Sequence, residues 1–148
     1  DGSHLRALDF HDYETRMQRL LARHYGEVTL RPARDPGGAS RAVDAYFAGD
    51  FQALDAFPVA TNGTAFQRMI WRHLREIRAG STSSYGELAK RIGNPAASRA
   101  VGLANGANPI AIAVPCHRMI GANGALTGYA GGLERKRWLL RHEGALLE

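Results

Sequence analysis

The chain has 148 residues, 45% of them hydrophobic, enough to bury a core as one domain or as two small packed ones without disulfide or metal staples. A single cysteine excludes an internal disulfide, and no apolar run is long enough for a signal peptide or a membrane span, so a reducing cytoplasm is the expected compartment. The formal charge of +5 is uneven: residues 1–60 carry seven Lys/Arg against nine Asp/Glu, whereas residues 61–148 carry twelve against five. A basic half of this kind either attracts a polyanion or simply forms a solvated surface.

Asp1-Gly2-Ser3-His4 reads as a turn or a leftover expression sequence, and Leu5, Ala7 and Leu8 to Phe10 suit a short strand. From Asp12 onward, Tyr13, Met17, Leu20, Leu21 and His24 recur at helical spacing, with Gly26 as the stop. Arg31 to Gly38 is a loop rich in proline and glycine. Ser40 is the expected cap of a second short helix that turns Val43, Tyr46 and Phe47 inward and ends at Gly49. Asp55 to Ala60 reads as extended, and the Asn62-Gly63 turn divides the acidic half from the basic one. The expected domains are therefore residues 1–62 and 63–148.

The second half is better punctuated. Thr64-Ala-Phe-Gln67 is a capping box opening a helix with Phe66, Ile70, Leu74 and Ile77 on one stripe, closed by Gly80. Ser84-Tyr-Gly-Glu87 is a second box, leading Leu88, Ala89 and Ile92 into a short helix that stops at Gly93. Asn94 as N-cap and Pro95 at the first helical position start another, running to Gly106. Two short helices joined at a glycine turn form a helix-turn-helix candidate, a signature shared with a plain helical hairpin. Ile110 to Val114 is too apolar and β-branched for a surface loop, and Pro115 ends any regular pairing. Met119-Ile120 and Leu126-Thr127 then read as a hairpin about Asn123-Gly124, and Leu133 to His142 as a final helix ended by Gly144.

The sole cysteine, Cys116, emerges from that buried run with His117 and Arg118 beside it. A thiol with an ordinary pKa near 8.5 is only slightly ionised at neutral pH, so a nucleophilic role requires a base. Adjacent residues of an extended chain point to opposite sides, so His117 reaches the sulfur only if the backbone turns or through a water. Glu143, just before the Gly144 stop, is the carboxylate suited to orient His117. The competing reading is structural: cysteine and histidine are often core residues, and a glutamate often only solvates a helix end. No histidine or cysteine shows close metal-ligand spacing and no phosphate-loop fingerprint is present, so neither a metal nor a cofactor is expected.

The string Asn108-Pro-Ile-Ala-Ile-Ala-Val-Pro-Cys-His-Arg118, with Ser84-Tyr-Gly86 before it and Gly128-Tyr-Ala-Gly-Gly132 and His142-Glu-Gly144 after it, strongly resembles the O6-alkylguanine-DNA alkyltransferases. The resemblance is dense from Gly63 to Gly144. It implies an α+β protein: a small N-terminal α/β domain, shortened relative to a family that opens with an antiparallel sheet, and a mostly helical, winged-helix-like C-terminal domain with a helix-turn-helix. The implied activity is a single-turnover, irreversible transfer of a methyl or other alkyl group from O6 of guanine in double-stranded DNA to Cys116, by a monomer that needs no cofactor and no membrane. By the same resemblance, His117 acts through a water, Glu143 orients it, Tyr85 donates a hydrogen bond to the departing guanine, and Asn108 joins the recognition helix to the acceptor segment. Arg99 resembles the arginine that fills the base stack behind a flipped nucleotide, a step required because a sulfur in a pocket cannot reach a paired base. Ala97, Ser98 and Arg118 are the accompanying expected DNA contacts. Val114, Pro115, Tyr129, Ala130 and Gly131 are the implied pocket, with Ala130 standing where many relatives carry serine. The small residues Ala100, Gly102, Ala104 and Gly106 would admit a close approach to the minor groove. A binding module without transfer activity and a helix-turn-helix regulator are the alternatives; the presence of Cys116 argues against the first.

Overall fold

The computed structural model describes residues 1–146 and divides the chain into two units, one of residues 1–63 with 109–113, the other of residues 64–108 with 114–146. The second domain is thus not one continuous stretch. The run Pro109–Ala113 belongs with the first unit.

In the first unit, α1 (Glu14–Tyr25) buries Leu20 and Leu21 and ends at Gly26, whose N–H reaches Ala22 O at 2.9 Å. α2 (Ala39–Phe47) starts from Gly38, so Ser40 lies inside the helix and is not its cap. Tyr46 is fully buried, but Phe47 is 43% exposed, which corrects the inward assignment for that ring. α3 (Phe51–Asp55), too short to show a period, follows directly and buries Leu54. Tyr46 meets both Phe47 and Phe51 edge to face, with ring centroids 5.1 and 5.4 Å apart, a geometry that suits the aromatic quadrupole. The expected strand at Leu5 to Phe10 does not form. Leu5 pairs with Val59 and Leu8 with Ile110 as isolated parallel bridges, so the segment serves as a spacer between two partners and is paired continuously with neither.

In the second unit, α4 (Ala65–Leu74) opens with a complete capping box: Gln67 N–H donates to Thr64 Oγ1 at 3.0 Å and Thr64 N–H to Gln67 Oε1 at 3.1 Å. Its stripe of Ile70, Trp71 and Leu74 is buried, each side chain contributing about 1.5–3 kcal/mol of transfer free energy. β1 (Ser83–Ser84) leads into α5 (Tyr85–Arg91), capped by Glu87 N–H donating to Ser84 Oγ. The chain turns at Gly93 (φ 81°), a left-handed position that suits glycine. A 3-10 turn at Pro95–Ala97 then precedes α6 (Ser98–Gly106), and Asn94 makes no side-chain cap. Trp71 Nε1–H donates to Ala104 O at 2.9 Å, pinning α6 to α4.

β2 (Met119–Ile120) does not form the expected hairpin. It pairs in parallel with β1, Ser83 against Met119 and Ser84 against Ile120, while Gly121 to Ala125 closes on itself as a turn. α7 (Leu133–His142) follows as expected and buries Lys136, Leu139 and Leu140. Among the described residues no helix is long and apolar enough to cross a membrane.

Candidate active site

Two tight turns deliver Cys116. Ile112 has φ 69° and is spanned by Ala113 N–H to Ala111 O at 2.7 Å, the rare γ-turn of positive φ, strained for a β-branched residue by about 1–3 kcal/mol. Pro115 (φ −81°, ψ 66°) is spanned by Cys116 N–H to Val114 O at 2.8 Å, the favourable inverse γ-turn. Every residue from Asn108 to Met119 is buried, including Val114 and Pro115, and Cys116 itself is 6% exposed. Asn108 Nδ2 donates to Val114 O at 2.7 Å, closing the loop between the end of α6 and the cysteine segment.

Cys116–Arg118 is a 3-10 turn, not extended chain. Successive side chains therefore step by about a third of a turn, and His117 and Arg118 can face the same partner. That partner is Glu143. His117 Nε2 lies 2.7 Å from Glu143 Oε2, Arg118 Nε donates to Oε1 at 2.9 Å, and Arg118 Nη2 donates to Oε2 at 2.9 Å. All three side chains are wholly buried. Burial alone would raise the Glu143 pKa, but hydrogen bonds and charge from His117 and Arg118 outweigh it and hold the carboxyl at about 2. An ionised carboxylate only accepts, so His117 Nε2 carries the proton it donates, and in the neutral ring Nδ1 is the basic nitrogen. Gly80 (φ 88°) completes the wall, since a Cβ there would stand 3.2 Å from the Glu143 carbonyl oxygen.

Arg118, expected among the DNA contacts, is fully buried and also donates through Nη1 to Ile77 O at 2.6 Å, so it belongs to the scaffold and not to a DNA-contacting surface. Ala97 is likewise withdrawn from the surface, only 8% exposed. Ser98 is half-buried. Arg99, Ala100, Leu103 and Gly106 form one exposed stripe of α6, and Leu103 is 71% exposed. Gly102 and Ala104 face inward: a Cβ on Gly102 would lie 3.8 Å from the Tyr85 ring, and Ala104 is buried. Tyr85 Oη accepts from Thr127 Oγ1 at 3.4 Å. Of the other expected pocket residues, Gly131 is buried, Tyr129 half-buried and Ala130 exposed.

Sequence reasoning missed three groups. Lys136 is fully buried on α7, and its ammonium donates to the carbonyls of Met119, Thr127 (2.7 Å) and Gly128 (3.3 Å), tying the segment before Tyr129 to the one after Cys116. Burial lowers its pKa to about 8, and negative charge on Cys116, once its proton leaves, pulls the other way. Its signal was the stripe Lys136, Leu139, Leu140, Glu143, a buried helical face with charges at both ends. Leu103 left only the trace of an apolar residue among small ones. Asn105 is buried on the inner side of α6, and Nδ2 donates to Cys116 O at 3.4 Å.

A histidine held by an ionised carboxylate beside a buried sulfur can take the thiol proton and leave a nucleophile. Residues 65–145 match the family described as 6-O-methylguanine DNA methyltransferase, DNA binding domain. The chain belongs to this family. A methylated-DNA–protein-cysteine methyltransferase of Shigella flexneri is 53% identical over 145 residues, covering 97% of this chain and 85% of the relative. Among solved structures, Mycobacterium tuberculosis OGT in complex with DNA superposes with a TM-score of 0.79 at 44% identity, covering 97% of this chain and 82% of that one. The O6-methylguanine-DNA methyltransferase of Pyrococcus kodakaraensis superposes with a TM-score of 0.73 at 27% identity, covering 90% and 78%. The methyltransferase family match spans α4 to α7, the elements that carry Cys116, His117 and Glu143.

Proposed function

We propose that Cys116 is the acceptor through which this methyltransferase repairs DNA, in one displacement per molecule. His117 Nδ1, through a bridging water, takes the thiol proton. The thiolate attacks the alkyl carbon on guanine O6; the S–C bond forms as the C–O6 bond breaks, and the electron pair stays on the purine, which regains a proton with Tyr85 as donor to the leaving base. Guanine is restored and Cys116 becomes an S-alkylcysteine. No group present reverses a thioether, which accounts for a single turnover.

The observation that carries this reading is the buried hydrogen bond from His117 Nε2 to a Glu143 held ionised, one residue from the sole cysteine. It fixes the tautomer that leaves Nδ1 as the basic nitrogen of the ring. On the DNA side, the exposed stripe of α6 supplies Arg99 to occupy the stack behind an extruded guanine, with Leu103 as an apolar wedge beside it. A double-stranded DNA partner carrying O6-alkylguanine is the reading supported by this stripe and by the tuberculosis relative, which is solved in complex with DNA. A thiol reagent of this kind works in a reducing cytoplasm, and one monomer supplies every residue named.

The test is a split between binding and transfer. Cys116→Ala retains affinity for duplex containing O6-methylguanine while leaving every lesion unrepaired; a variant that still demethylates the DNA would overturn the assignment of the acceptor.

A further inference from the structure

We infer that Asn105 is a positioning residue for the transfer: from inside the DNA-facing helix it fixes the carbonyl of the acceptor cysteine, so that Cys116 is held in register with whatever base α6 presents. This rests on the acceptor role proposed for Cys116.

Three observations carry it. Asn105 lies on α6, two residues beyond the exposed Leu103, yet its side chain is turned inward and only 5% is exposed. Its Nδ2 donates to the main-chain oxygen of Cys116 at 3.4 Å, a direct polar link between the interior of α6 and the acceptor residue. Its Oδ1 is buried without a hydrogen-bond partner among the described residues. Reversing the amide does not relieve this, because Oδ1 would then face the Cys116 carbonyl, oxygen against oxygen.

The energetics make the amide a poor structural device. A bond at 3.4 Å is near the limit of useful length, and an unsatisfied buried carbonyl oxygen is a cost. The Cys116 oxygen also accepts from the N–H of Met119, so an apolar group of similar shape in place of the amide strands no carbonyl and removes an unmet buried oxygen, which is neutral or stabilising. Asn105 thus contributes little to folding, and its location assigns it to function. Asn108 grips Val114 O and Asn105 grips Cys116 O, so two amides at the end of α6 hold alternate carbonyls on either side of Pro115. Between them they set the orientation of the Cys116 peptide, and hence the line along which its sulfur approaches a base held against α6.

The test uses the whole chain with Asn105→Leu, close to asparagine in volume. Four quantities are measured: thermal unfolding, affinity for duplex carrying O6-methylguanine, the single-turnover rate of methyl transfer at saturating duplex, and the rate of Cys116 alkylation by iodoacetamide, a small electrophile that needs no register with α6. The expected result is an unfolding midpoint equal to or above that of wild type, affinity within about twofold, iodoacetamide alkylation within about twofold, and transfer from DNA slower by about tenfold, the effect of one lost hydrogen bond on a positioned reaction. Transfer within twofold of wild type would overturn the inference. So would parallel changes in transfer and iodoacetamide rates, which would mean a general effect on the sulfur. Should Asn105→Leu fail to fold, Asn105→Ala carries the same expected split. Wild-type protein methylated on Cys116 in the same assay is the control, and its failure would count against the acceptor reading and not against Asn105.

Discussion

Replacing Arg118 by methionine removes a guanidinium that makes two hydrogen bonds to Glu143 and one to Ile77 O, all inside a wholly buried cluster. Methionine roughly fills the volume, so the loss is polar. Removing one partner of a buried ion pair costs about 3–5 kcal/mol, and stranding the Ile77 carbonyl adds about 1 kcal/mol or more, so the total is about 4–6 kcal/mol. That is comparable to a large part of the ordinary stability of a small protein, about 5–15 kcal/mol. Urea unfolding at neutral pH reads it directly, with Arg118→Lys as a milder companion. The pH dependence supplies an independent check. A carboxyl whose folded pKa is lowered from 4.5 to about 2 contributes stability that is complete above 4.5 and is lost as the pH falls toward 2, here about 3 kcal/mol. Without Arg118 the lowering shrinks and that acid-dependent loss flattens. DNA affinity should keep its salt dependence, since a buried side chain neutralises no phosphate; a true phosphate contact would reduce the slope by about 0.9. A stability loss below about 1 kcal/mol together with a reduced salt slope would refute the placement of Arg118 in the scaffold.

The remaining predictions concern neighbouring groups. Glu143→Gln, which cannot hold an ionised acceptor against His117, slows methyl transfer by about 10²-fold with DNA affinity unchanged, and an unaltered single-turnover rate would remove Glu143 from its orienting role. Lys136→Met strands three carbonyls around the acceptor and the segment before Tyr129; it lowers stability by about 2–4 kcal/mol in urea unfolding, and a neutral result would show that the ammonium is not the tie between them. Arg99→Ala slows transfer on duplex DNA while leaving transfer on a single strand nearly unchanged, because only the duplex requires a filled stack; equal slowing on both would contradict that role.

Much of this was legible because the signals were local. Thr64 with Gln67 and Ser84 with the N–H of Glu87 announce α4 and α5, and both caps form in the structure. The stop glycines Gly26, Gly93 and Gly144 stand just beyond helix ends. The failures were of longer range. Ser83-Ser84 carries no strand signature and Met119-Ile120 too little; their parallel pairing joins segments more than thirty residues apart, whereas the Asn123-Gly124 turn beside β2 suggested a local hairpin. Leu5 to Leu8 has the composition of a strand but finds a different partner at each end. At the site, Cys116, His117 and Glu143 were readable from chemical type and position. Arg118 was not, because an arginine reads as surface until the carboxylate that neutralises it, 25 residues on, is brought into the same buried space. Asn105 stayed hidden for the complementary reason, since a helical period assigns a polar residue outward unless tertiary structure supplies a partner.

The fate of Cys116 tests the acceptor role most directly. Incubated with excess duplex carrying O6-methylguanine, the intact protein should gain one methyl group, mapped to the peptide containing Cys116, with one guanine restored per molecule and no further turnover. Folded protein that leaves the DNA methylated with its own mass unchanged, or that restores guanine repeatedly while Cys116 stays unmodified, would contradict it.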